Sequence, residues 1–218
     1  MHIRFGSLIS EKIGPFSSQP ELILCEKENK IQPTNTFDIF NFCESNFVCN
    51  EQLLKMWKRK VRVWKHSIYF YVLMKKIPFG KKHIISPVCG SRDTLGLLEK
   101  SKKNLKFSQS EIIQAEQDRN KMGISNDDKY VLIINRGQRF LDEEYPFDID
   151  FNYHSFRNVS INDFMPTAEA LTKKNYFVIR MGQKVSDLMK TNNPKIIEYD
   201  EKGYRTELLD IFLSANCK

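Results

Sequence analysis

Arginines, glycines and one histidine stand at the ends of apolar runs in the second half of this chain, where an α/β sheet presents groups to a ligand. Arg136 and Gly137 follow Tyr130-Val-Leu-Ile-Ile-Asn135, and Arg180, Met181 and Gly182 follow Tyr176-Phe-Val-Ile179. Cations and backbone N–H groups at successive strand ends can hold a diphosphate against a helix N-terminus. Pairing with the acidic segment Asp142-Glu-Glu144 is the other reading of the same arginines. His154 sits between Tyr153 and Arg157 in a polar loop. A histidine so placed can donate to a phosphate or act as a general base, or is plain polar surface. Arg205, just before a helix, either anchors a ligand or pairs with Glu207.

Metal chemistry has little to stand on. Asp148-Ile-Asp150 is a carboxylate pair in an acidic loop, and solvated loop acids explain it better than a divalent-ion site. No G-x-x-x-x-G-K-[ST] loop, G-x-S-x-G elbow or H-E-x-x-H pair occurs, so P-loop, serine-hydrolase and zincin chemistries lack their motifs. The five cysteines show neither a C-x-x-C pair nor zinc spacing, which predicts reduced thiols, most of them small core residues.

The elements that must position these groups alternate strand, loop and helix. His2-Ile-Arg-Phe-Gly-Ser-Leu8 reads as a strand running into a glycine loop at Gly6 and Ser7. Glu21-Leu-Ile-Leu-Cys25 reads as the second strand, Phe37-Asp-Ile-Phe40 as another, and Lys81 to Pro87 as a further one. Leu53, Leu54, Trp57, Val61 and Trp64 recur at spacings of three and four, predicting a helix from Asn50 to Trp64 with Asn50 as its cap. Its other face carries Lys55, Lys58, Arg59, Lys60 and Arg62, a surface for anionic lipid or simply a solvated face. The segment Asp93 to Lys106 reads as partly helical. Ser108-Gln-Ser-Glu111 predicts a capping box ahead of a helix to about Met122. Gly123 to Lys129 is polar and turn-rich, and the expected boundary falls there, between domains 1–123 and 129–218.

In the second half, Tyr130 to Asn135 is apolar enough for the middle of a parallel sheet. Ser160 caps a predicted helix through Lys174, with Pro166 in its tolerant early turns. Strands at Tyr176–Ile179 and Lys195–Tyr199 and a helix from Thr206 to Asn216 complete the pattern. The fold class is therefore α/β with Rossmann-like organisation.

The chain has 218 residues, 41% of them hydrophobic, and a formal net charge of +7. That is enough for packed cores and unlike a disordered chain. The charge suits anionic partners, and it is concentrated: Glu51 to Lys82 holds ten Lys and Arg against one acid. Nucleic acid is one such partner, with Trp57, Trp64 and Tyr69 as stacking platforms, but the two tryptophans belong to the apolar stripe. The longest apolar run, Ser67 to Met74, falls well short of the roughly 20 residues that span a bilayer.

Taken together, Tyr153-His-Ser-Phe-Arg-Asn158, Val178-Ile-Arg-Met-Gly182, Ile196-Ile-Glu-Tyr199 and Tyr204-Arg-Thr-Glu-Leu-Leu-Asp-Ile-Phe-Leu-Ser-Ala-Asn-Cys217 resemble a family of bacterial glycosyltransferases of surface-polysaccharide and lipopolysaccharide O-antigen synthesis. Arg4-Phe-Gly6, Pro20-Glu-Leu-Ile-Leu24 and Cys49-Asn-Glu-Gln-Leu-Leu-Lys-Met-Trp57 extend the resemblance to the first half. It implies a GT-B-like pair of Rossmann-like domains facing a cleft, the first on the acceptor side and the second, incomplete, holding the nucleotide sugar. Arg136, Tyr153, Arg157, Arg180, Gly182 and Arg205 become donor-binding candidates, His154 the catalytic candidate, and Gly6 and Ser7 acceptor-side candidates. Members often carry a histidine where this chain has Ser7, and Arg-Asp where it has Arg136-Gly137.

The implied reaction moves a hexose or deoxyhexose from a nucleoside-diphosphate sugar to a glycan or lipid-linked acceptor. It needs no metal or other cofactor and no nucleic-acid partner. The implied setting is the cytoplasm, with peripheral contact on an anionic inner-membrane face. Such enzymes continue for another strand and a glycine-rich loop beyond the point reached at Lys218. A truncated, catalytically inactive binding module is the alternative expectation.

Overall fold

The computed structural model describes residues 2–42, 47–135, 159–182 and 188–218. The chain divides into two compact units, Met1–Phe107 and Ser108–Lys218. Each is mixed α/β and is built on its own three-stranded parallel sheet. The division falls ahead of the helix Gln109–Lys121, where the sequence placed it behind. That helix packs on the last helix of the second unit.

In the first unit the order is β1 (His2–Leu8), α1 (Ile13–Glu28), β2 (Thr36–Phe42), α2 (Glu51–Lys58), β3 (Arg62–Val63), α3 (Ser67–Lys76) and the short α4 (Leu97–Lys100). β2 lies between β1 and β3, in parallel register, with Phe5 opposite Ile39 and Phe40 opposite Val63. Parallel neighbours need a crossover between them. This is why Glu21–Cys25, expected as a strand, is instead the heart of α1. Phe16, Gln19, Ile23 and Glu26 recur at spacings of three and four and are buried.

Pro20 lies inside α1 and has no N–H for the carbonyl of Phe16, four residues before it. The indole Nε1 of Trp57 donates to that carbonyl instead, at 2.9 Å. α1 faces the sheet side that carries Arg4 and Asp38, through Lys27. α3 covers the other side, where Phe70 stacks on Phe5 with ring centroids 5.5 Å apart.

The predicted helix from Asn50 to Trp64 is shorter than expected. Asn50 does cap it, accepting from Leu53 N at 2.7 Å, and Leu53, Leu54, Trp57 and Val61 are buried. It stops at Lys58 because Arg62 and Val63 are drawn into pairing with β2, and Trp64 N donates to Phe40 O at 2.8 Å. Trp64 is thereby exposed rather than part of the buried stripe. Lys81 to Pro87 is likewise not a strand. It contains a 3-10 turn over Gly80–His83 and then a single parallel bridge from Ile84 to Phe5.

The second unit runs α5 (Gln109–Lys121), β4 (Lys129–Ile134), a 3-10 turn Ile161–Phe164, α6 (Met165–Lys173), β5 (Tyr176–Met181), β6 (Ile196–Glu198) and α7 (Glu207–Asn216). The capping box at Ser108 and Glu111 is formed in both directions. Pro166 stands at the start of α6, so the expected single helix begins as a 3-10 turn. β5 is the central strand and β4 lies at one end of the order, not in the middle. Val131, Ile133, Val178 and Ile196 meet Ala168 and Leu171 of α6 on one face. On the other, Tyr130 donates to Leu213 O of α7 at 3.2 Å. Among the described residues no helix is long and apolar enough to cross a membrane.

Candidate functional site

Strand β5 delivers Arg180 and Gly182 to the carboxyl end of its sheet, as the apolar run before them requires. The two behave differently. Arg180 is only 3% exposed. It lies opposite Glu198 in the parallel register, and Nη1 stands 3.4 Å from Glu198 Oε1. The same carboxylate oxygen accepts from Met189 N at 2.5 Å. Arg180 is thus committed inside the unit, tying β5 to β6 and, through Glu198, to the segment around Met189. Glu198 is the partner that sequence reasoning did not assign. The signal available was two opposite charges, each near the end of an apolar strand in neighbouring positions of a parallel sheet.

Gly182, immediately after β5, has φ 138°, a conformation that side chains other than hydrogen rarely adopt. A glycine of this kind at a strand's carboxyl end brings backbone N–H groups within reach of an approaching anion.

Arg205 pairs with Asp210, Nη2 to Oδ2 at 2.9 Å. Beside them Tyr199, fully buried, donates to Thr206 O at 3.1 Å and accepts from Thr206 N at 3.2 Å. Thr206 in turn caps α7 by accepting from Leu209 N at 3.1 Å. Burial pushes the Asp210 carboxyl up, against the lowering influence of Arg205 and Tyr199. Burial, with Asp210 adding to it, pushes the Tyr199 hydroxyl up as well. Arg205 is therefore part of the α7 entry and not an open cation.

Arg136, Gly137, Asp148, Asp150, Tyr153, His154 and Arg157 lie outside the described residues. Of the donor-side candidates expected from sequence, Arg180, Gly182 and Arg205 are the ones among the described residues.

In the first unit Gly6 and Ser7 are not in a loop. They lie within β1, opposite Phe40 and Asn41 of β2. A Cβ on Gly6 would stand 2.9 Å from the Phe40 ring and 3.1 Å from Ile85, so glycine is required there by packing. The carboxyl end of β1 is held by buried amides: Ile9 N donates to Gln19 Oε1 at 2.9 Å, and Asn41 Nδ2 to Gly6 O at 2.9 Å. Asn41 Oδ1 has no hydrogen-bond partner among the described residues. Gln19 and Asn41 went unremarked in the sequence, because single amides inside apolar runs carry no periodic signal.

The strongest charge cluster of the unit lies at the opposite, amino end of the sheet. Arg4 binds Asp38 through Nε at 2.9 Å and Nη2 at 2.8 Å, and Lys27 Nζ joins the same carboxylate at 2.8 Å. Arg4 Nη1 also donates to Gln32 Oε1 at 2.7 Å, and Gln32 passes the network on to Glu26. A small cleft of about 70 Å³ opens here, lined in part by Lys27, Asp38, Lys60 and Arg62. Ligands of open α/β sheets bind at the other end, and the buried Arg4, Asp38 and Gln32 satisfy one another, so this cluster is structural.

Cys25, Cys89 and Cys217 are free thiols. Among the described residues no three His, Cys, Asp or Glu side chains gather as metal ligands would. Fold and site define a two-unit α/β protein with a glycine-marked carboxyl sheet edge. No protein-family model, curated protein or solved structure matches the chain.

Proposed function

We propose that the chain is a nucleotide-sugar-dependent glycosyltransferase. The unit Ser108–Lys218 holds the nucleoside diphosphate and Met1–Phe107 the acceptor, each as a Rossmann-like domain of the GT-B kind. The observation that carries this reading is the end of β5, where Gly182 at φ 138° follows a strand fixed by the Arg180–Glu198 pair. A strand end that closes on a glycine in this conformation suits a diphosphate. The resemblance of Val178–Gly182 and Tyr204–Cys217 to sugar-transferring proteins supports the same assignment.

In the proposed reaction an acceptor hydroxyl oxygen bonds to the anomeric carbon while the carbon–oxygen bond to the diphosphate breaks. The bonding pair leaves with the diphosphate, and the hydroxyl proton passes to a base, for which His154 is the candidate. Arg136 and Arg157 are the cations proposed for the departing charge, and Tyr153 is a further donor-side candidate. Arg180 is a positioning residue that holds the strand end at which the phosphates rest. The sugar nucleotide is the co-substrate, and no cofactor is part of the proposal.

Thermal shift of the purified chain against UDP-, GDP-, dTDP- and CMP-linked ligands tests it. Saturation at a hundred times the dissociation constant stabilises by about 2.7 kcal/mol, so one base should raise the melting temperature clearly. Gly182→Val should abolish that rise while still melting cooperatively. A cooperative parent that responds to none of the four overturns the reading.

A further inference from the structure

Of the ten residues of α3 only Ser67 is buried. Tyr69, Val72 and Leu73 fall on one helical face, at spacings of three and four. They are 72%, 42% and 49% exposed, and Phe79, in the turn that follows, is 81% exposed. Phe70, itself 44% exposed, stacks on Phe5. The turn is held rigidly: Gly80 packs so closely under α3 that a Cβ there would stand 1.8 Å from Met74 O. An apolar face this continuous is unusual on a surface that meets only water.

Lys65, Lys75, Lys76, Lys81 and Lys82 are all exposed around it, and there is no acid from Gln52 to Lys82. We infer that α3 and the Ile77–Gly80 turn form a docking surface for an anionic lipid bilayer. Aromatic and aliphatic side chains enter the headgroup boundary while lysines meet the phosphates. Charge decides the occupant. A second copy would set the same lysines against one another across a two-fold contact, whereas a bilayer offers apolar depth and negative charge together. Nucleic acid would meet the lysines but leave Val72 and Leu73 without an apolar partner.

The surface differs from the basic face of α2 that the sequence suggested, and it does not depend on the glycosyltransferase reading. Vesicle binding requires no nucleotide, so the two succeed or fail separately. The test is co-sedimentation of the full chain with phosphatidylcholine vesicles, with and without phosphatidylglycerol. Tryptophan emission is recorded alongside. The chain has two tryptophans; Trp57 is fully buried and Trp64 is 47% exposed, so a blue shift reports Trp64.

Binding to anionic vesicles at least about tenfold tighter than to neutral ones, weakened by salt, is expected. The combined Tyr69→Ser, Leu73→Ser and Phe79→Ser variant should lose it while keeping the parent melting temperature. Replacing Lys75, Lys76, Lys81 and Lys82 by Ser should remove the preference for anionic lipid. The inference is overturned if the parent stays in the supernatant with anionic vesicles, or if the triple Ser variant binds as the parent does. It is equally overturned if the triple Ser changes abolish a dimer or an oligonucleotide complex while vesicle binding is absent.

Discussion

The indole of Trp57 donates to the carbonyl of Phe16 at 2.9 Å, the carbonyl that Pro20 leaves without its intrahelical donor. A residue of α2 therefore completes the hydrogen bonding of α1, and α1 is the crossover that sets β1 and β2 in parallel. Trp57→Phe should cost about 1–3 kcal/mol beyond the lost packing, because a buried carbonyl is stranded. In a Pro20→Ala background residue 20 regains its N–H, and the same change should cost about 1 kcal/mol less. Urea denaturation of the four proteins measures the coupling; additive costs would show that the indole bond contributes nothing specific.

The Arg180–Glu198 pair is buried on both sides. Arg180→Met leaves a carboxylate inside the second unit without its cation, and should destabilise by about 3–5 kcal/mol. Adding Glu198→Gln removes the stranded charge yet keeps an acceptor for Met189 N, so the double variant should recover much of the loss. Chemical denaturation decides it. Equal losses in single and double variants would rule out charge pairing as the cause.

Asp38 supplies the pH dependence. Burial acts to raise its carboxyl, but hydrogen bonds from Arg4, Lys27 and Thr36 outweigh it and hold the group below its ordinary value. With the folded value the lower one, the stabilisation is fully present above the ordinary carboxylate value of about 3.9 and is lost as pH falls through the folded value. Asp38→Asn should therefore be least stable relative to the parent at pH 7, with the gap closing as pH falls below the ordinary carboxylate range. A gap that stays constant in denaturation midpoints across this range would assign Asp38 to shape instead of charge.

A side chain at Gly6 should be costly. Gly6→Ala pushes a methyl to 2.9 Å from the Phe40 ring, an overpacking expected to cost about 1–3 kcal/mol. Phe40→Leu in the same chain should return part of it. If Gly6→Ala melts like the parent, the strand has room that its packing does not show.

Local signals were legible in the sequence wherever a short stretch settles its own geometry. Asn50, Ser108 and Ser160 cap the turns they precede, as hydroxyl and amide acceptors beside a helix's first N–H groups do. The apolar runs at His2–Leu8, Tyr130–Ile134 and Tyr176–Met181 are strands, and their parallel pairing follows from the helices between them. Gly182 just past a strand was also legible, whereas Arg180, expected in the loop after Ile179, lies inside β5, paired with Ile133 and Glu198.

Tertiary structure decided everything that depends on a partner distant in sequence. Glu21–Cys25 has a strand's composition but must be helix, because β1 and β2 pair in parallel and need a crossover. Arg62–Val63 leaves the helical stripe because the open edge of β2 offers backbone hydrogen bonds that the end of α2 does not. Arg180 carries the charge expected of a ligand contact, yet Glu198 stands opposite it in the register and takes that charge into the sheet. A side chain's chemistry is written in the sequence. Whether it faces a ligand or a neighbouring strand is set by register and burial, which only the folded chain supplies.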